Sequence, residues 1–252
     1  MTPSLSIIIL AKNCASSLAR TLASARFADE VLVIDDFSTD TTADVARSGG
    51  ARVLQHALNG DFAAQRRFGV EAAASDWILF LDSDEVVTPE LQTQIRDAIR
   101  RPPASYYLRR LNCFEHHTIR HGSMRSDRVL RLMPKEGTDI TGRVHEKITS
   151  IHPASELSGY LLHYTYRNWS ETIRKLDSYT SYLGKQQAER GKNTPFLMGA
   201  LLKPTWAFFK AYVIDRGFLD GKMGFLFAVH HSYYTFMKYA KWDLEKRTKG
   251  EF

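Results

Sequence analysis

Residues 77–85 read WILFLDSDE, so that five apolar or aromatic side chains run directly into the acidic segment Asp82–Glu85. A short apolar run of this kind is typical of a buried strand. Because charged groups cannot follow it into the core, the chain must reach the surface where the run ends. In an open α/β sheet, this carboxyl end of the strands is where ligands bind. The segment therefore predicts a strand followed by a candidate binding site.

Asp82 and Asp84 are separated by one residue, which brings hard oxygen ligands to one point. Such ligands suit Mg²⁺ or Mn²⁺ carried by a diphosphate. An Asp-x-Asp triplet is a short motif, and it is equally compatible with a solvated acidic turn that opens the helix at Thr88-Pro89-Glu90. From these residues alone, both interpretations stand.

The first hundred residues alternate between segments typical of buried strands and segments with helical spacing. Strands are predicted at residues 5–11, 30–35, 51–54 and 77–81. Helices are predicted at residues 16–26, from a cap at Ser38-Thr39-Asp40 to residue 47, at 61–74 and at 89–100. This order indicates an α/β fold with a mostly parallel, doubly wound sheet.

The chain beyond Pro102-Pro103 has a different character. Strands of a more irregular β region are predicted at residues 105–114, 128–133 and 143–149. Helices are predicted from Asn168 to about residue 190, and from Pro195 to about residue 247 with a break near 217–221. The sequence thus predicts a helical C-terminal extension.

Composition and charge limit the classes of function. The chain has 252 residues, 44% hydrophobic and 25% charged, which is an ordinary globular balance. Two cysteines without a pairing pattern fit a reducing compartment, and Met1 to Ser4 lead into a strand without the features of a secretion signal. Residues 1–100 carry 9 Lys/Arg and 14 Asp/Glu, whereas residues 101–252 carry 25 and 14. The basic part favours an anionic partner; nucleic acid, phosphorylated glycan and anionic lipid all qualify on charge, but no segment resembles a nucleic-acid-reading module.

A second acidic segment, Asp35-Asp36-Phe37-Ser38-Thr39-Asp40, follows the second predicted strand. Its carboxylates could accept hydrogen bonds from a uracil ring or a ribose hydroxyl, or could simply cap the next helix. Arg66 and Arg67, on the helix before the Asp-x-Asp strand, suit a ring carbonyl or a diphosphate, and equally a solvated helix face. The chain has no glycine-rich phosphate loop, which argues against Rossmann dehydrogenases and P-loop enzymes.

Two further residues carry candidate chemistry. Glu146, within the charged segment 141–147, could take a proton from an attacking hydroxyl, although its chemistry alone favours a surface strand with paired charges. His163 lies in the apolar and aromatic setting Tyr160–Tyr164. Such histidines are usually core residues with a hydrogen-bond partner. The more specific alternative is that His163 is a metal ligand.

The last 60 residues are aromatic and basic. The longest stretch without Lys, Arg, Asp or Glu is 223–237, which is shorter than the roughly 20 residues that span a bilayer. Aromatic side chains interleaved with lysine are typical of a helix lying in the membrane interface. The lysines expected to meet anionic lipid are Lys203, Lys210, Lys222, Lys238 and Lys241. The alternative is a set of helices packed over the sheet.

Three motifs together resemble those of family 2 glycosyltransferases, which have the GT-A fold. They are residues 6–13 (SIIILAKN), 33–40 (VIDDFSTD) and 77–85 (WILFLDSDE), with Phe37 in place of the usual small residue. Residues 142–146 (GRVHE) and 217–224 (GFLDGKMG) resemble a narrower branch, the bacterial lipopolysaccharide core β-1,4-glucosyltransferases. The resemblance implies residues 1–165 as the GT-A domain, divided into a nucleotide-binding half at 1–101 and an acceptor and catalytic half at 102–165. Residues 166–252 are then the membrane-associating extension.

The resemblance also implies roles for single residues. Asp36 is expected to hold the uridine, Asp84 to ligate Mg²⁺ or Mn²⁺, and Asp82 to contact ribose or metal. Glu146 is expected to be the catalytic base of an inverting transfer, and His163 a metal ligand. The other residues expected to contact the nucleotide sugar are Lys12, Asn13, Arg66, Arg67 and Ser83.

The implied substrates are a UDP-sugar, with glucose the expected hexose, and a lipid-linked phosphorylated glycan acceptor. Such a protein is expected in the cytoplasm, peripheral to the inner face of the bacterial inner membrane. Three readings remain open from the sequence: transfer to the lipopolysaccharide inner core, transfer to another glycolipid or a peptide, and nucleotide-sugar binding without catalysis. Intact Asp82, Asp84 and Glu146 disfavour the last.

Overall fold

The computed structural model describes residues 3–143, 146–166, 168–190 and 194–248. The chain forms two compact units. The first consists of Met1–Arg110 and Asp127–His163, and the second of Leu111–Ser126 and Tyr164–Phe252. The second unit therefore includes residues 111–126, which the sequence placed in the acceptor half of the GT-A domain.

Four parallel strands form the first part of the sheet, as the apolar runs predict. In chain order they are β1 (Leu5–Ala11), β2 (Glu30–Asp35), β3 (Arg52–Gln55) and β4 (Trp77–Asp82). Their spatial order is β3-β2-β1-β4, and every pairing among them is parallel. Strands β1 and β4 contribute side chains to apolar cores on both faces of the sheet, which explains why their sequences are almost continuously apolar.

The sheet continues with strands that form antiparallel pairs, so it is mixed as a whole. These strands are β5 (Glu85–Val87), β6 (Ser105–Phe114), β7 (His117–Ile119) and β8 (Asp127–Pro134). A separate antiparallel hairpin consists of β9 (Thr138–Thr141) and β10 (Lys147–Ser150), and the long β11 (Ala154–Tyr166) joins the main sheet. From β4 the order is β8-β6-β11-β5, with β4–β8, β6–β8 and β11–β5 antiparallel.

Two of the β predictions needed correction. The strand expected at 143–149 is shorter, and its hairpin partner β9 was not predicted. Strand β11 was not predicted either, because its first half, Ala154-Ser155-Glu156-Leu157-Ser158-Gly159-Tyr160, is mostly polar or small and forms neither an apolar run nor a strict alternation.

Side chains of the central strands alternate between two apolar cores on opposite faces of the sheet. Ile7, Ile9 and Leu79 belong to one core, whereas Ile8 and Phe80 belong to the other. This division follows from the two-residue repeat of a strand. The helices of this unit are α1 (Ala15–Ala25), α2 (Thr42–Ser48), α3 (Phe62–Ala72) and α4 (Pro89–Ala98).

Local capping explains where helix α4 begins, whereas the N-cap residue of α2, Thr41, makes no side-chain capping hydrogen bond. Helix α4 begins where the sequence predicts, because the Thr88 side chain accepts a hydrogen bond from the backbone N–H of Leu91 and Pro89 occupies the first turn. Helix α2 begins at Thr42, later than the predicted cap at residues 38–40. Asp40 accepts a 2.9 Å hydrogen bond from the backbone N–H of Thr42.

The second unit is mostly helical. Helix α5 (Trp169–Glu189) begins at the predicted cap, where Asn168 accepts a 2.9 Å hydrogen bond from the backbone N–H of Glu171. Helix α6 (Lys203–Phe209) lies between two π-helical turns, and a 3₁₀ turn at Gly217–Asp220 precedes the long α7 (Gly221–Thr248). Phe114, Trp169 and Phe227 form its aromatic core, with ring centroids 5.0 to 5.4 Å apart. No helix in the described part of the chain combines the length and apolar character that crossing a membrane requires.

Candidate functional site

The residues at the carboxyl ends of three neighbouring parallel strands lie at one edge of the sheet. Strand β1 is followed by Lys12, β2 ends at Asp35 and is followed by Asp36, and β4 ends at Asp82. Because β2 and β4 both pair with β1 in parallel, these carboxyl ends meet at the same edge. The predicted acidic edge is present.

Asp36 is anchored by two contacts. Lys12 Nζ lies 2.7 Å from Asp36 Oδ2, and the backbone N–H of Leu58 donates a 2.9 Å hydrogen bond to Oδ1. The hydrogen bond from Lys12, followed by that from Leu58, lowers the pKa of Asp36. Asp36 is therefore a fixed carboxylate beside a cation, while its contact with uridine stays a prediction.

Asn13 and Phe37 shape the loops above these strand ends. Asn13 Oδ1 accepts a 2.8 Å hydrogen bond from the backbone N–H of Thr39, which ties the two loops together. Both residues have left-handed backbone, with φ of 47° for Asn13 and 48° for Phe37. Left-handed backbone favours glycine and asparagine over a bulky residue, which gives a physical reason for the small residue usual at position 37.

Asp82 lies among three arginines. Arg131 Nη2 donates to Asp82 Oδ2, Arg66 Nη2 donates to Oδ1 at 3.4 Å, and Arg110 Nη1 lies 3.8 Å from Oδ2. Burial acts to raise the pKa of Asp82, but Arg131 and then Arg66 outweigh it and hold that pKa well below its usual range. Asp82 is therefore ionised at neutral pH and largely committed to protein contacts.

Glu85 is the fully buried partner of this cluster. Arg131 Nη2 lies 3.2 Å from Glu85 Oε1, and the backbone N–H of Asp82 donates a 2.9 Å hydrogen bond to Oε2. Burial raises the pKa of Glu85, Arg131 opposes this, and the charge of Asp82 adds to it. Arg131 thus compensates two carboxylates at once.

Arg131 and Arg110 were missed by the sequence analysis. Arg131 interrupts an apolar run, Val129-Leu130-Arg131-Leu132-Met133, and is only 5% exposed. A charged residue within such a run predicts a buried charge that needs a partner. That signal was available, but it does not identify the partner.

Glu146 meets Arg66 although 80 residues separate them. Arg66 Nε donates a 3.1 Å hydrogen bond to Glu146 Oε1. Both border an open cavity of about 470 Å³. The cavity is lined by Arg66, Asp82, Tyr107, Arg110, Val129, Leu130, Arg131, Glu146, Lys147 and Ile148. The candidate base and the first acid of the Asp-x-Asp motif therefore share one cavity.

Other predicted site residues lie elsewhere. Arg67 is not among the residues that line the cavity, and its Nη1 donates to the backbone carbonyl of Ile140. The backbone carbonyl of Ser83 accepts a 3.0 Å hydrogen bond from Thr21 Oγ1, which fixes the turn between β4 and β5. Val144 and His145 of the segment 142–146 lie outside the described residues. The nucleotide-sugar contacts of Arg67 and Ser83 stay predictions.

Asp84 and His163 form a separate pair. His163 Nε2 lies 3.5 Å from Asp84 Oδ1, because β11 places His163 opposite Glu85, the residue after Asp84. A carboxylate and an imidazole together fit a Mn²⁺ ion that takes its remaining ligands from a diphosphate. Among the residues that the structure describes, no group of three or more His, Cys, Asp or Glu side chains could hold a metal alone.

Contacts within the second unit show why the segment 217–224 has its sequence. Asp220 Oδ2 accepts hydrogen bonds from the backbone N–H groups of Arg120 at 2.9 Å and His121 at 2.7 Å. A Cβ atom at Gly224 would lie 1.7 Å from the carbonyl oxygen of Gly217, so this position admits only glycine. The segment therefore fixes the start of α7.

Four of the five lysines expected to face lipid have partners within the second unit, among them Lys238, whose Nζ lies 4.9 Å from the centroid of the Tyr239 ring. Lys203 Nζ donates to the hydroxyl of Tyr239 at 2.8 Å, Lys210 Nζ lies 2.6 Å from Asp215 Oδ2, and Lys241 Nζ lies 2.6 Å from Asp177 Oδ1. Large apolar side chains are nevertheless exposed here, among them Leu197, Leu201, Leu202 and Trp206 at 56 to 69%.

Comparison with known proteins assigns the first unit to a family. Residues 6–154 match the family described as Glycosyl transferase family 2. An uncharacterized glycosyltransferase of Rickettsia typhi (strain ATCC VR-144 / Wilmington) is 26% identical over 255 residues, which cover 94% of this chain and 86% of the relative. The lipopolysaccharide core biosynthesis glycosyltransferase LpsC of Rhizobium meliloti (strain 1021) is 25% identical over 94% of this chain and 91% of its own length.

A solved structure overlaps with part of the chain. It is glucosyl-3-phosphoglycerate synthase from Mycobacterium tuberculosis in complex with Mn²⁺, UDP and phosphoglyceric acid, which is 19% identical. The match covers 44% of this chain and 43% of that chain, with a TM-score of 0.36. An overlap of this extent decides neither donor nor metal.

Proposed function

This chain belongs to glycosyl transferase family 2, and on that premise we propose that it transfers a hexose, with inversion, from a UDP-sugar to a lipid-linked glycan. The observation that carries the proposal is the shared cavity of Glu146 and Asp82. A base for the acceptor and an acidic strand end for the donor are the two elements that such a transfer needs. We propose UDP-glucose as the donor and a sugar of the lipopolysaccharide inner core as the acceptor.

In the proposed reaction, Glu146 accepts the proton of the acceptor hydroxyl. The hydroxyl oxygen forms a bond to the anomeric carbon from the face opposite the diphosphate, and the bond from that carbon to the diphosphate breaks with its electron pair on UDP. Asp36 and Lys12 hold the nucleoside end, and the buried cluster of Asp82, Glu85 and Arg131 keeps the strand end rigid. A divalent ion held by Asp84 and His163 would stabilise the charge on the departing diphosphate.

The choice of acceptor rests on two observations. LpsC, a relative over nearly the whole chain, is named for lipopolysaccharide core biosynthesis. Residues 101–252 are strongly basic, with 25 Lys/Arg against 14 Asp/Glu, which suits a phosphorylated, lipid-linked acceptor. Both observations support a lipid-linked glycan as the class of acceptor.

A donor screen followed by a transfer assay tests this function. The protein is mixed with UDP- and GDP-sugars and Mn²⁺ or Mg²⁺, and thermal stabilisation is measured. Stabilising donors are then incubated with deacylated lipopolysaccharide, and UDP release and product mass are followed. We expect UDP-glucose to stabilise the protein and to donate one hexose. Binding of UDP-glucose without transfer to any acceptor and without background hydrolysis would instead identify a nucleotide-sugar-binding protein.

Replacing Asp84 tests the proposed metal site. We expect Asp84→Asn to lower Mn²⁺-supported transfer by about 100-fold or more, because a metal contributes several kcal/mol to stabilising a leaving group. Mn²⁺ should also stop increasing the thermal stabilisation by UDP. The control is Asp44→Asn, which makes the same change on the exposed surface of α2. Undiminished Mn²⁺ dependence in Asp84→Asn would assign the metal to other ligands.

We also propose that the second unit binds the inner face of the bacterial inner membrane, which would make the protein cytoplasmic and peripheral. The exposed apolar side chains of residues 196–214, with the exposed Lys222 near the start of α7, favour an anionic lipid surface. Because four of the five predicted lysines already have protein partners, we expect apolar contacts to contribute more than charge.

Sedimentation with anionic vesicles tests the membrane proposal. The combined change of Leu201, Leu202 and Trp206 to Ser should weaken vesicle binding by at least about tenfold, since each side chain contributes roughly 1–3 kcal/mol when buried in an apolar phase. Ile151→Ser is the control, because Ile151 is 79% exposed in the first unit. If wild type and the triple variant remain equally in the supernatant, the exposed apolar surface has another purpose.

A further inference from the structure

The cavity that Glu146 borders is lined by more cationic side chains than carboxylates. Four cationic side chains line it, against two carboxylates, those of Asp82 and Glu146. The cations are Arg66, Arg110, Arg131 and Lys147. Arg131 is committed to two carboxylates, as described above, and Arg110 Nη2 lies 2.6 Å from Asp127 Oδ2. Within the described part of the chain, buried donors without a partner remain at Arg66 Nη1 and Arg131 Nε, and Lys147 is exposed.

Arg66 has one buried donor without a partner. The residue is only 6% exposed, and two of its nitrogens already donate to Glu146 and Asp82. Its Nη1 atom is buried and has no hydrogen-bond partner among residues 3–143, 146–166, 168–190 and 194–248. A buried guanidinium N–H that stays unpaired costs free energy, so an oxygen atom of a ligand at this position is favoured.

Lys147 adds a second donor on the same cavity. It directly follows Glu146 at the start of β10 and is exposed. No ion pair of Lys147 occurs within the described part of the chain. An unpaired ammonium beside a buried guanidinium is a combination that suits a phosphate group, because both donate charge-assisted hydrogen bonds to its oxygens.

The rest of the cavity is suited to a sugar. Val129, Leu130 and Ile148 contribute apolar surface, and Tyr107 is 39% exposed. An aromatic ring and aliphatic side chains can pack against the C–H groups of a pyranose. The cavity therefore combines surfaces for a sugar ring with donors for an anion.

We propose that this cavity binds a phosphate group carried by the acceptor sugar, with Arg66 Nη1 and Lys147 Nζ as its donors. The proposal rests on the proposed function, in which Glu146 takes the proton of the acceptor hydroxyl in the same cavity. Asp84 and His163, assigned above to the donor diphosphate, are not among the lining residues. Asp82 does line the cavity but is already paired with Arg131 and Arg66, so we assign the anion to the molecule that presents its hydroxyl to Glu146.

The test compares phosphorylated and dephosphorylated acceptors with Lys147→Gln. Deacylated lipopolysaccharide is used before and after phosphatase treatment, and KM for the acceptor is measured with wild type and the variant. We expect the KM of the phosphorylated acceptor to rise about tenfold in Lys147→Gln, which is the loss of one charge-assisted hydrogen bond. The KM of the dephosphorylated acceptor and the Kd of UDP should stay unchanged.

A second measurement does not depend on turnover. Binding of inorganic phosphate to the full chain, followed by NMR titration, should weaken in Lys147→Gln and stay unchanged in Arg47→Gln, which removes one exposed cation from α2. Equal KM changes for both acceptors, or unchanged phosphate binding, would overturn the proposal. A parallel loss of UDP affinity would assign the anion to the donor. If no acceptor is turned over, the proposed function fails, while phosphate binding still decides whether the anion site exists.

Discussion

Transfer by the Glu146→Gln variant is expected to fall by about 10² to 10⁴-fold, because general base catalysis typically contributes that much. A glutamine keeps the size of the side chain, and its carbonyl oxygen can still accept the 3.1 Å hydrogen bond from Arg66 Nε. The change therefore removes the proton acceptor while preserving the contacts that hold the side chain. Measured kcat should decrease, whereas the Kd of UDP should change less than about twofold, since only the chemical step loses an interaction.

The geometry gives this variant a clear control. Glu71→Gln makes the same change on the exposed surface of α3, the helix that also carries Arg66. We expect Glu71→Gln to retain wild-type kcat. If kcat of Glu146→Gln stayed within a few fold of wild type, the base would be another group, and the assignment of the cavity to the acceptor would lose its foundation.

Replacing Arg131 by Met is expected to cause the largest loss of stability in the first unit. The side chain is 5% exposed and compensates both Asp82 and the fully buried Glu85. Removing one partner of a buried ion pair leaves an uncompensated charge, which typically costs about 3–5 kcal/mol. Chemical denaturation of the full chain at neutral pH measures this loss.

The pH dependence of that loss has a definite sign. In wild type, Arg131 holds the pKa of Asp82 well below its unfolded value, so this contribution is present above the unfolded pKa and is lost as pH falls. In Arg131→Met the pKa values of the two carboxylates rise. Protonation at lower pH then removes the cost of holding an uncompensated negative charge in the protein. The difference between wild type and variant should therefore be largest near pH 7 and narrow toward about pH 4.

Arg128→Met provides the comparison on the same strand. Arg128 pairs with Glu156 at 3.0 Å, but its side chain is 69% exposed. Solvent screens such a pair, so we expect little change in the denaturation midpoint at any pH. Equal stability of Arg131→Met and wild type at neutral pH would show that water or a neighbouring group compensates Asp82 and Glu85 without the arginine.

The apolar runs of the chain were sufficient to predict the parallel half of the fold. Strands β1, β2 and β4 are where the sequence places them, because a strand covered on both faces needs a continuous apolar segment. Strand β11 was missed, since its first half is mostly polar or small and shows neither an apolar run nor a strict alternation. The predicted acidic edge followed from the parallel order alone, because the residues after β1, β2 and β4 must meet there.

Long-range pairing decided the parts of the site that the sequence could not. The contact of Arg66 with the donor stays a prediction, but its pairing with Glu146 and Asp82, 80 and 16 residues away, was not foreseen. Arg131 carried a local signal of a buried charge, but only the antiparallel pairing of β8 with β4 brings it to Asp82.

The apolar pattern of a strand and its place along the chain are local properties. Each strand needs apolar side chains where it is buried, and it ends where charged residues begin. The sequence by itself therefore determined the parallel half of the sheet, the acidic edge and the family. Which cation meets which carboxylate depends on segments that are distant in the chain and approach only when the sheet forms. Tertiary structure alone therefore decided that Glu146, Arg66 and Lys147 share one cavity, and that Asp84 faces His163 instead.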